Sequence, residues 1–495
     1  MTPTLALYLP IAAPLAAAGV AALLGRRPAA WMGVAAAASI LAAGIGLGTA
    51  VTGGRQVASG LLRGDALTAF MLIVIGSVAT IACWAGVHHL DDEAAAGAGT
   101  PTTARRYLIL VQLFLATMSL AVLADNLGLL WVAVEATTIV TAFLVGHRRS
   151  RASVEAAWKY VVLCSVGIGI AFLGTVCVYA TAVAAGAHGT TALNWTHLTS
   201  HTAGLDPDLT RLAMGLLLLG FGTKAGLAPM HAWLPDAHSQ APAPVSALMS
   251  GVLLSVAFYA IWRYKTITDA VLETGYTRTI LLVAALASLA VAALLLIAQQ
   301  DYKRMLAYSS IEHMGLVALG TATGSRLAIT AVLLHVLGHG LGKAVAFCGA
   351  GQLLHLSGSS RITAVRGLVA RHPALAGAFG LALLALLGMP PFSLFASEIG
   401  IARAGLTSGT GWATAAAFIL VLVAFAALTR NSAGILLGAP NPAPATDPPT
   451  PTSRPRVAAI APLAVGLAAA AALGISLGPL RELLDTAATT IVGGH

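Results

Sequence analysis

The sequence predicts an all-α polytopic membrane protein with about fourteen transmembrane helices. Hydrophobic residues make up 58% of the 495 residues and charged residues only 9%, whereas soluble domains carry roughly 25% charged residues. A bilayer core is crossed by a helix of about 20 apolar residues, and stretches of that length recur along the whole chain. Lipid is therefore the surrounding medium for most of this protein.

The predicted spans follow one another with short polar or glycine-containing connections. The segment between residues 187 and 208 is polar and is predicted to be an external loop. The spans lie near residues 4–24, 30–52, 66–88, 106–123, 126–146, 155–184, 209–227, 242–264, 278–298, 303–322, 326–354, 373–403, 411–436 and 457–477.

Two of these spans, the seventh and the twelfth, are interrupted by glycine and proline, at residues 220–235 and 386–398. Each break lies beside an ionisable residue, Lys224 in the first and Glu398 in the second. One such proline alone is most simply a harmless kink, but broken helices in corresponding positions of two halves indicate an inverted repeat with ion sites near the bilayer midplane. The predicted divisions are a three-helix N-terminal segment (1–105), a first five-helix repeat (106–264), a second, inverted five-helix repeat (278–436), a proline-rich linker (437–456) and a C-terminal helix (457–495).

The basic residues indicate how the chain is oriented. No lysine or arginine precedes the first span and Arg26 and Arg27 follow it, the reverse of a secretory signal peptide. We therefore expect an N-terminus outside and most basic loops in the cytoplasm, as the positive-inside rule requires. Arg263, Lys265 and Arg278 fall on the outer side and are exceptions. The sequence contains no basic patch of the kind that binds nucleic acid.

The cysteines do not form a recognisable site. They stand singly in apolar segments, without the paired spacing of disulfides, iron–sulfur clusters or structural zinc. We expect no cofactor in this chain, and no enzyme active site, because no nucleophile triad or nucleotide loop accompanies the spans. The four cysteines are Cys83, Cys164, Cys177 and Cys348.

Lysine is rare in this chain, and three of its five lysines, Lys159, Lys224 and Lys343, lie within apolar runs. A lone charge at the bilayer centre costs on the order of 2.5–3.5 kcal/mol, so each needs a partner or a wet cavity. Glu135 is the acidic residue predicted to pair with Lys224, and breaking that pair would favour proton release from the lysine. The alternatives are a static salt bridge that only specifies packing and, for Lys159, a side chain that extends to the interface.

A stripe of ionisable groups is predicted on the eleventh span. His335, His339 and Lys343 follow at four-residue intervals and so share one helix face over about 12 Å. Imidazoles one turn apart suit water-bridged proton hopping. Zinc binding is disfavoured because no carboxylate accompanies them in the span and Lys343 would repel a cation, while a structural polar stripe stays open. Glu312 and His313 are further candidates inside the tenth span.

Two motifs carry a resemblance to a known family. The segment PMHAWLPDAHSQAPAPVSALMSG follows the lysine-bearing broken helix, and DYKRMLAYSSIEHMG opens the tenth span. Both closely resemble the antiporter-like subunits of respiratory complex I, multi-subunit sodium/proton antiporters and membrane-bound group 4 [NiFe]-hydrogenases, over about residues 100 to 435. With GMPPFSLFASE, the motif SSIEHMG is most similar to component F of the hydrogenase-4 type.

The resemblance implies roles for residues at matching positions. The family's glutamate on the fifth helix corresponds to Glu135 in this chain, and its lysine on the seventh helix corresponds to Lys224. The family's terminal ionisable residue, on the broken twelfth helix, corresponds to Glu398. The family's hydrophilic axis through the eleventh helix corresponds to the stripe of His335, His339 and Lys343. One departure is Ser250 and Ser255 on the eighth helix, where complex I subunits carry lysine or histidine. The central link would then run through water, through His231 or His238, or not at all.

The resemblance also implies a function. We expect a proton- or sodium-translocating membrane subunit of a group 4 hydrogenase-type or complex I-like assembly in a bacterial or archaeal plasma membrane. Its partners would be other membrane-arm subunits and a peripheral redox module. The alternatives are a non-pumping scaffold, suggested by the two serines, and a subunit of a sodium/proton antiporter without a redox partner. No long lateral helix is expected after the last span.

Overall fold

The computed structural model describes residues 2–97, 99–439 and 457–492. Within these ranges the chain is nearly all helical, with one antiparallel hairpin of strands β1 (Val57–Ser59) and β2 (Leu62–Gly64). In chain order the helices are α1 (Pro3–Leu23), α2 (Arg26–Ala50), α3 (Ala66–Ala95), α4 (Pro101–Leu123), α5 (Leu127–Val145), α6 (Arg151–Ala184), α7 (Trp195–Ser200), α8 (Pro207–Ala225), α9 (Trp233–Gln240), α10 (Ala243–Leu248), α11 (Leu254–Leu272), α12 (Thr274–Ile297), α13 (Tyr302–Thr323), α14 (Arg326–Ser357), α15 (Leu368–Arg371), α16 (Pro373–Leu386), α17 (Ser393–Thr407), α18 (Gly411–Leu437), α19 (Val457–Ile475) and α20 (Leu480–Val492).

The number of membrane spans is bounded by helix length and apolarity. In the described part of the chain eleven helices are long and apolar enough to cross a membrane, or up to twelve when a bent pair at residues 362–386 counts as one span. Helices α8 and α13 lie where two further spans are predicted but are too polar for that criterion, and α16 and α17 have only 14 and 15 residues. The protein is a polytopic helical membrane protein, and the count of fourteen stays a prediction.

The C-terminal part departs from the predicted division. In place of one helix over 457–495, two helices, α19 and α20, are separated by a short turn. Helix α20 turns back and packs on α3 and α14, burying Leu484 and Ile491. It is amphipathic, so its apolar face leaves the water by packing on the bundle instead of extending the preceding span. Most of the predicted linker 437–456 lies outside the described residues, which resume at 457.

Two units form the centre of the bundle. The most apolar stretch of α14 is completely buried, as is that of the unit from α10 through α11. Between α10 and α11 a π-helical turn, Met249–Leu253, carries Ser250. Here α14 comes close, because a Cβ added to Gly251 would lie 2.9 Å from the Gly340 carbonyl oxygen. The bundle exterior is apolar, with side chains such as Phe143 and Trp158 more than half exposed, as expected for a lipid-facing surface.

Both predicted breaks are interruptions of helical structure. Helix α8 ends at Ala225, followed by Gly226 with a φ of +78°, a left-handed conformation that glycine adopts without a Cβ penalty. The chain becomes helical again at Trp233, whose indole Nε1 donates to the Thr223 carbonyl at 2.9 Å. The second break separates α16 from α17. The first break follows Lys224 on the last turn of α8, and the second precedes Glu398 on the second turn of α17.

Close packing between α6 and α8 holds the first break in place, and Gly220→Ala is expected to weaken it. A Cβ at Gly220 would lie 2.5 Å from the backbone oxygen of Gly167 and 2.5 Å from the backbone nitrogen of Ala171. Because these backbone atoms cannot move without separating the helices, we expect a loss of about 1–3 kcal/mol of stability. Thermal unfolding of the purified protein measures it. Gly169→Ala on α6 is the control, because nothing lies within 4 Å of its added Cβ, and equal midpoints would contradict the prediction.

Candidate ion pathway

Lys224 lies at the meeting point of three helices. It is on the last turn of α8 and is completely buried. Its Nζ donates to the Thr138 hydroxyl of α5 at 2.5 Å and to the Tyr160 hydroxyl of α6 at 2.8 Å. The ammonium group also lies 5.0 Å from the centre of the Tyr160 ring, a cation–π distance. Hydroxyl groups and an aromatic ring therefore replace the water around this charge.

Glu135 reaches Lys224 through a hydroxyl group. The Thr138 hydroxyl donates to Glu135 Oε2 at 3.1 Å and at the same time accepts from Lys224. Ser165 donates to the other carboxylate oxygen, Oε1, at 3.3 Å. The sequence predicts a pair of charges; in the structure the two groups lie on either side of one threonine. The structure therefore shows a hydroxyl-bridged arrangement instead of a direct ion pair between the two side chains.

Lys159 is not among the buried lysines. Its side chain is 48% exposed, and Nζ forms ion pairs with Glu155 at 2.8 Å and Asp236 at 3.1 Å. Asp236 also pairs with Arg304 at 3.0 Å. Helix α6 begins at Arg151, so Lys159 is close enough to that end to reach a polar surface. This position corrects its prediction as an interior lysine and agrees with the alternative that its side chain extends to the interface.

Lys303 is a buried cation that was not selected from the sequence as a site residue. It is on the first turn of α13 with no exposed surface. Its Nζ donates to the backbone carbonyls of Ser239 and Ala241, each at 2.8 Å. These carbonyls lie at the C-terminal end of α9. The hydrogen bonds from Lys303 therefore connect α9, which follows the first break, with α13 in the second half of the chain.

Lys343 is held by polar groups of α13. It is completely buried, and its Nζ donates to the Leu306 carbonyl at 2.7 Å and to the Ser309 hydroxyl. The next residue, Ser310, forms a hydroxyl–hydroxyl hydrogen bond of 2.7 Å with Ser250 in the π-helical turn. The eighth predicted span thus contacts the serine pair beside Lys343. Ser255, the other serine of that span, has no hydrogen-bond partner within the described ranges.

His335 and His339 of α14 lie next to a third histidine, His313 of α13. His313 Nδ1 lies 3.1 Å from His335 Nε2, and His335 Nδ1 lies 3.0 Å from the Ser397 hydroxyl of α17. The His313 and His339 rings are 4.9 Å apart. All three imidazoles are buried, so the predicted stripe becomes a cluster of rings from two helices, α13 and α14, with a serine of α17 hydrogen-bonded to it.

Two carboxylates accompany this cluster. Glu312 is buried on α13, next to His313 in sequence. Glu398 is partly exposed on α17, and its carboxylate lies against Gly388 in the second break, because a Cβ there would be 2.4 Å from Oε2. One ligand atom each from His313, His335 and Glu398 lie within 4.8 Å of one another. The missing carboxylate was one reason against a metal, and the fold supplies it from another helix.

His231 and His238 lie in and after the first break. His231 is partly buried, whereas His238 on α9 is completely buried and stacks on Phe347 of α14 at 5.2 Å between ring centres. Phe347 is one turn beyond Lys343. Neither ring nitrogen of His238 has a hydrogen-bond partner in the part of the chain that the structure describes. His238 therefore lies between the two halves without a direct link to either lysine.

Several polar side chains of the site were missed from the sequence. Thr138 lies three residues after Glu135, so the helical spacing places it on the same face and was a usable signal. Tyr160 follows Lys159 directly in the sequence. Successive residues of a helix point about 100° apart, so Tyr160 faces Lys224 whereas Lys159, the residue selected from the sequence, faces a different side of α6. Ser309 and Ser310 stand in the SSIEHMG motif, but nothing in the sequence distinguishes a hydroxyl that bonds Lys343 from one that bonds its own helix.

A known protein family matches more than half of the sequence. Residues 124–424 match the family described as NADH:quinone oxidoreductase/Mrp antiporter, transmembrane. The hydrogenase-4 component F homolog of Methylacidiphilum infernorum is 40% identical over 310 residues, 63% of this chain. The match covers 65% of that relative's length, which is less than two thirds.

Solved structures share the fold. A chain of the archaeal membrane-bound sulfane sulfur reductase has a TM-score of 0.84 at 22% identity, over 99% of this chain and 97% of that chain. A chain of the Mrp complex from a Dietzia species has a TM-score of 0.83 at 25% identity, over 100% of this chain and 98% of that chain. These likenesses, together with a family match over more than half of the sequence, confirm the resemblance predicted from the two motifs. The chain belongs to the NADH:quinone oxidoreductase/Mrp antiporter transmembrane family.

Proposed function

We propose that this protein is a proton-translocating, antiporter-like membrane subunit of a group 4 hydrogenase-type complex. The observation that carries the proposal is a pair of fully buried ammonium groups that donate to neutral oxygens and not to a carboxylate. Lys224 donates to two hydroxyls, and Lys343 donates to one carbonyl and one hydroxyl. Charges buried at membrane depth without full compensation are costly and mark ion pathways.

The first half of the pathway is Lys224, Thr138 and Glu135. Lys224 gives a proton to the threonine oxygen while the threonine hydroxyl proton passes to Glu135 Oε2, so that one relay step neutralises both charges. The reverse step restores them. Small movements of α8 at its break would change the 2.5 Å contact between Lys224 and Thr138 and so control the direction of transfer.

The second half is Lys343, the histidine cluster and Glu398. The hydrogen bond between Ser250 and Ser310 supports a central link through hydroxyl groups and water where complex I subunits carry a lysine or histidine. From Lys343 the path continues along His339, His313 and His335 toward Glu398. Imidazole can accept and release protons near neutral pH, which suits this row.

A proton fits these groups better than sodium. Hard cations such as Ca²⁺ and Mg²⁺ are bound by shells of about six or more oxygen atoms, and Na⁺ is a similarly hard ion. The buried groups here are dominated by ammonium and imidazole nitrogens, which do not supply the oxygen shell that a hard cation needs. We therefore favour H⁺ over Na⁺.

The partners follow from the relatives. The 40% identity to a hydrogenase-4 component F homolog supports an assembly in which other membrane subunits and a peripheral redox module drive transport, with redox cofactors in those partners. We also propose fourteen spans in two inverted repeats with the N-terminus outside. Arg263 and Lys265, exceptions to the positive-inside rule, are buried in ion pairs with Asp65 and Asp269, so they do not act as free loop charges.

Replacing Lys224 or Glu135 with alanine tests the transport function. Each variant is expected to abolish proton translocation by the reconstituted complex, because the relay loses its donor or its acceptor. Proton uptake is followed with a pH-sensitive dye in proteoliposomes, and subunit composition is checked to confirm assembly. Lys159→Ala removes an exposed lysine and is expected to retain transport. Unchanged transport in both relay variants would refute the proposal and favour a non-pumping scaffold.

A further inference from the structure

Three side chains from three different helices converge at the distal end of the histidine cluster. His313 of α13, His335 of α14 and Glu398 of α17 offer ligand atoms that all lie within 4.8 Å of one another. Two imidazoles and one carboxylate are the ligand set of many zinc sites that keep a fourth position for water. The ligands flank the second helix break, where α17 begins.

The spacing of the two imidazoles suits a metal ion. Two nitrogen ligands at about 2.05 Å from a tetrahedral zinc ion are about 3.3 Å apart. His313 Nδ1 and His335 Nε2 are 3.1 Å apart, so a few tenths of an ångström separate their hydrogen-bonded arrangement from a metal-bound one. Each ring already presents one nitrogen to the other.

The hydrogen bonds around His335 leave the correct nitrogen free for a metal. The Ser397 hydroxyl donates to the Leu394 carbonyl at 2.8 Å, so it accepts from His335 Nδ1–H at 3.0 Å. His335 Nε2 then carries a lone pair, and His313 Nδ1–H donates to it. A second hydrogen-bond partner that fixes the tautomer in this way is typical of metal-binding histidines.

A metal ion would replace the proton shared by the two rings. On binding, His313 releases the proton on Nδ1 and takes one up on Nε2, so that Nδ1 is free for the metal ion. Both imidazoles stay neutral and no net proton is lost. The carboxylate of Glu398 compensates part of the added charge, and Lys343 is eight residues beyond His335 on α14, about 12 Å along the axis.

We propose that His313, His335 and Glu398 form an inhibitory site for Zn²⁺ or a similar transition-metal ion. Glu398 is the one ligand of the three that is not fully buried. A bound ion occupies the nitrogen atoms that carry protons and clamps α17 to α13 and α14. The binding site stands on its geometry alone, whereas the block of transport rests on the proposed function.

Metal binding is tested with the purified complex in lipid nanodiscs. Co²⁺ serves as the spectroscopic probe, since a tetrahedral site has intense visible absorption, and Zn²⁺ competes for it. Wild type is expected to bind one ion per chain at this site with a tetrahedral spectrum. His335→Gln and Glu398→Gln should each weaken binding by at least about tenfold. His339→Gln is the matched control, because it removes a neighbouring buried imidazole outside the triad and should keep the spectrum.

The results separate the site from its effect. Loss of the tetrahedral spectrum in the triad variants but not in His339→Gln supports the site, and an equal spectrum in all four proteins overturns it. Inhibition of wild-type proton uptake over the same Zn²⁺ range as binding supports the block. Full uptake with the site occupied overturns the block, even where transport itself is confirmed by the Lys224 variants. A rise in the unfolding temperature with Zn²⁺, absent in His335→Gln, supports the clamping of α17.

Discussion

Arg263→Ala is expected to lower the stability of the protein by about 3–5 kcal/mol, the usual effect of removing one partner from a buried ion pair. Arg263 is 1% exposed and binds Asp65 through both η nitrogens, at 2.7 and 2.8 Å. Its Nε donates to the Tyr259 hydroxyl at 2.8 Å. A second arginine, Arg63, pairs with Asp65 and with Asp125, so two buried arginines balance two aspartates. Loss of one cation leaves this network with an uncompensated negative charge.

Trp195 adds to the cost of that substitution. The Arg63 and Arg263 guanidinium carbons lie 4.4 and 4.7 Å from its ring centre, so the segment after α6 is attached through cation–π contacts. Denaturant or thermal unfolding of the purified protein measures the change. Arg211→Ala is the control, because Arg211 is 52% exposed and pairs with an exposed Asp208, and such pairs contribute about 0–1 kcal/mol. If Arg263→Ala and Arg211→Ala lowered the stability by the same amount, the buried network would contribute no more than an exposed ion pair, which would contradict the prediction.

Thr138→Val is expected to reduce proton transport by at least about tenfold while the complex assembles. Valine has a similar shape but lacks the hydroxyl that accepts from Lys224 and donates to Glu135. A buried charged donor left without its acceptor loses about 1–3 kcal/mol, and 1.4 kcal/mol corresponds to tenfold in rate. Initial rates of proton uptake in proteoliposomes measure the effect.

Thr138→Ser separates the hydroxyl from the shape of the side chain. Serine keeps the oxygen, so we expect most of the transport to return. Thr137→Val on the same helix is a second control, since the Thr137 hydroxyl donates only to the Val134 carbonyl of its own helix. Normal transport in Thr138→Val would mean that Glu135 and Lys224 communicate by another route, such as water.

The lysines show how far local sequence can predict this site. Lys224 and Lys343 were selected because each lies in an apolar run, and both are fully buried. The same criterion selected Lys159, which is half exposed, and passed over Lys265 and Lys303, which are buried. Hydropathy describes the neighbours of a residue along the chain, whereas burial depends on helices that pack from distant parts of it.

The charged network around Arg263 was also beyond the sequence. Arg263 counted as an exception to the positive-inside rule, and Asp65 and Asp125 lay near span ends with nothing to connect them. Their partnership depends on α3 and α5 beginning beside the middle of α11, next to the β1–β2 hairpin that carries Arg63. Helix order alone does not reveal which ends become neighbours.

The sequence by itself determined the helical membrane class, the positions of the two helix breaks and the motif residues around them, because apolar length and helix-breaking residues act locally. Only the tertiary structure decided that Glu135 meets Lys224 through Thr138, and that Glu398 joins His313 and His335 across the second break. These contacts join side chains of separate helices. The physical reason is that each partner's position is set by helix packing, which spacing along one helix cannot specify.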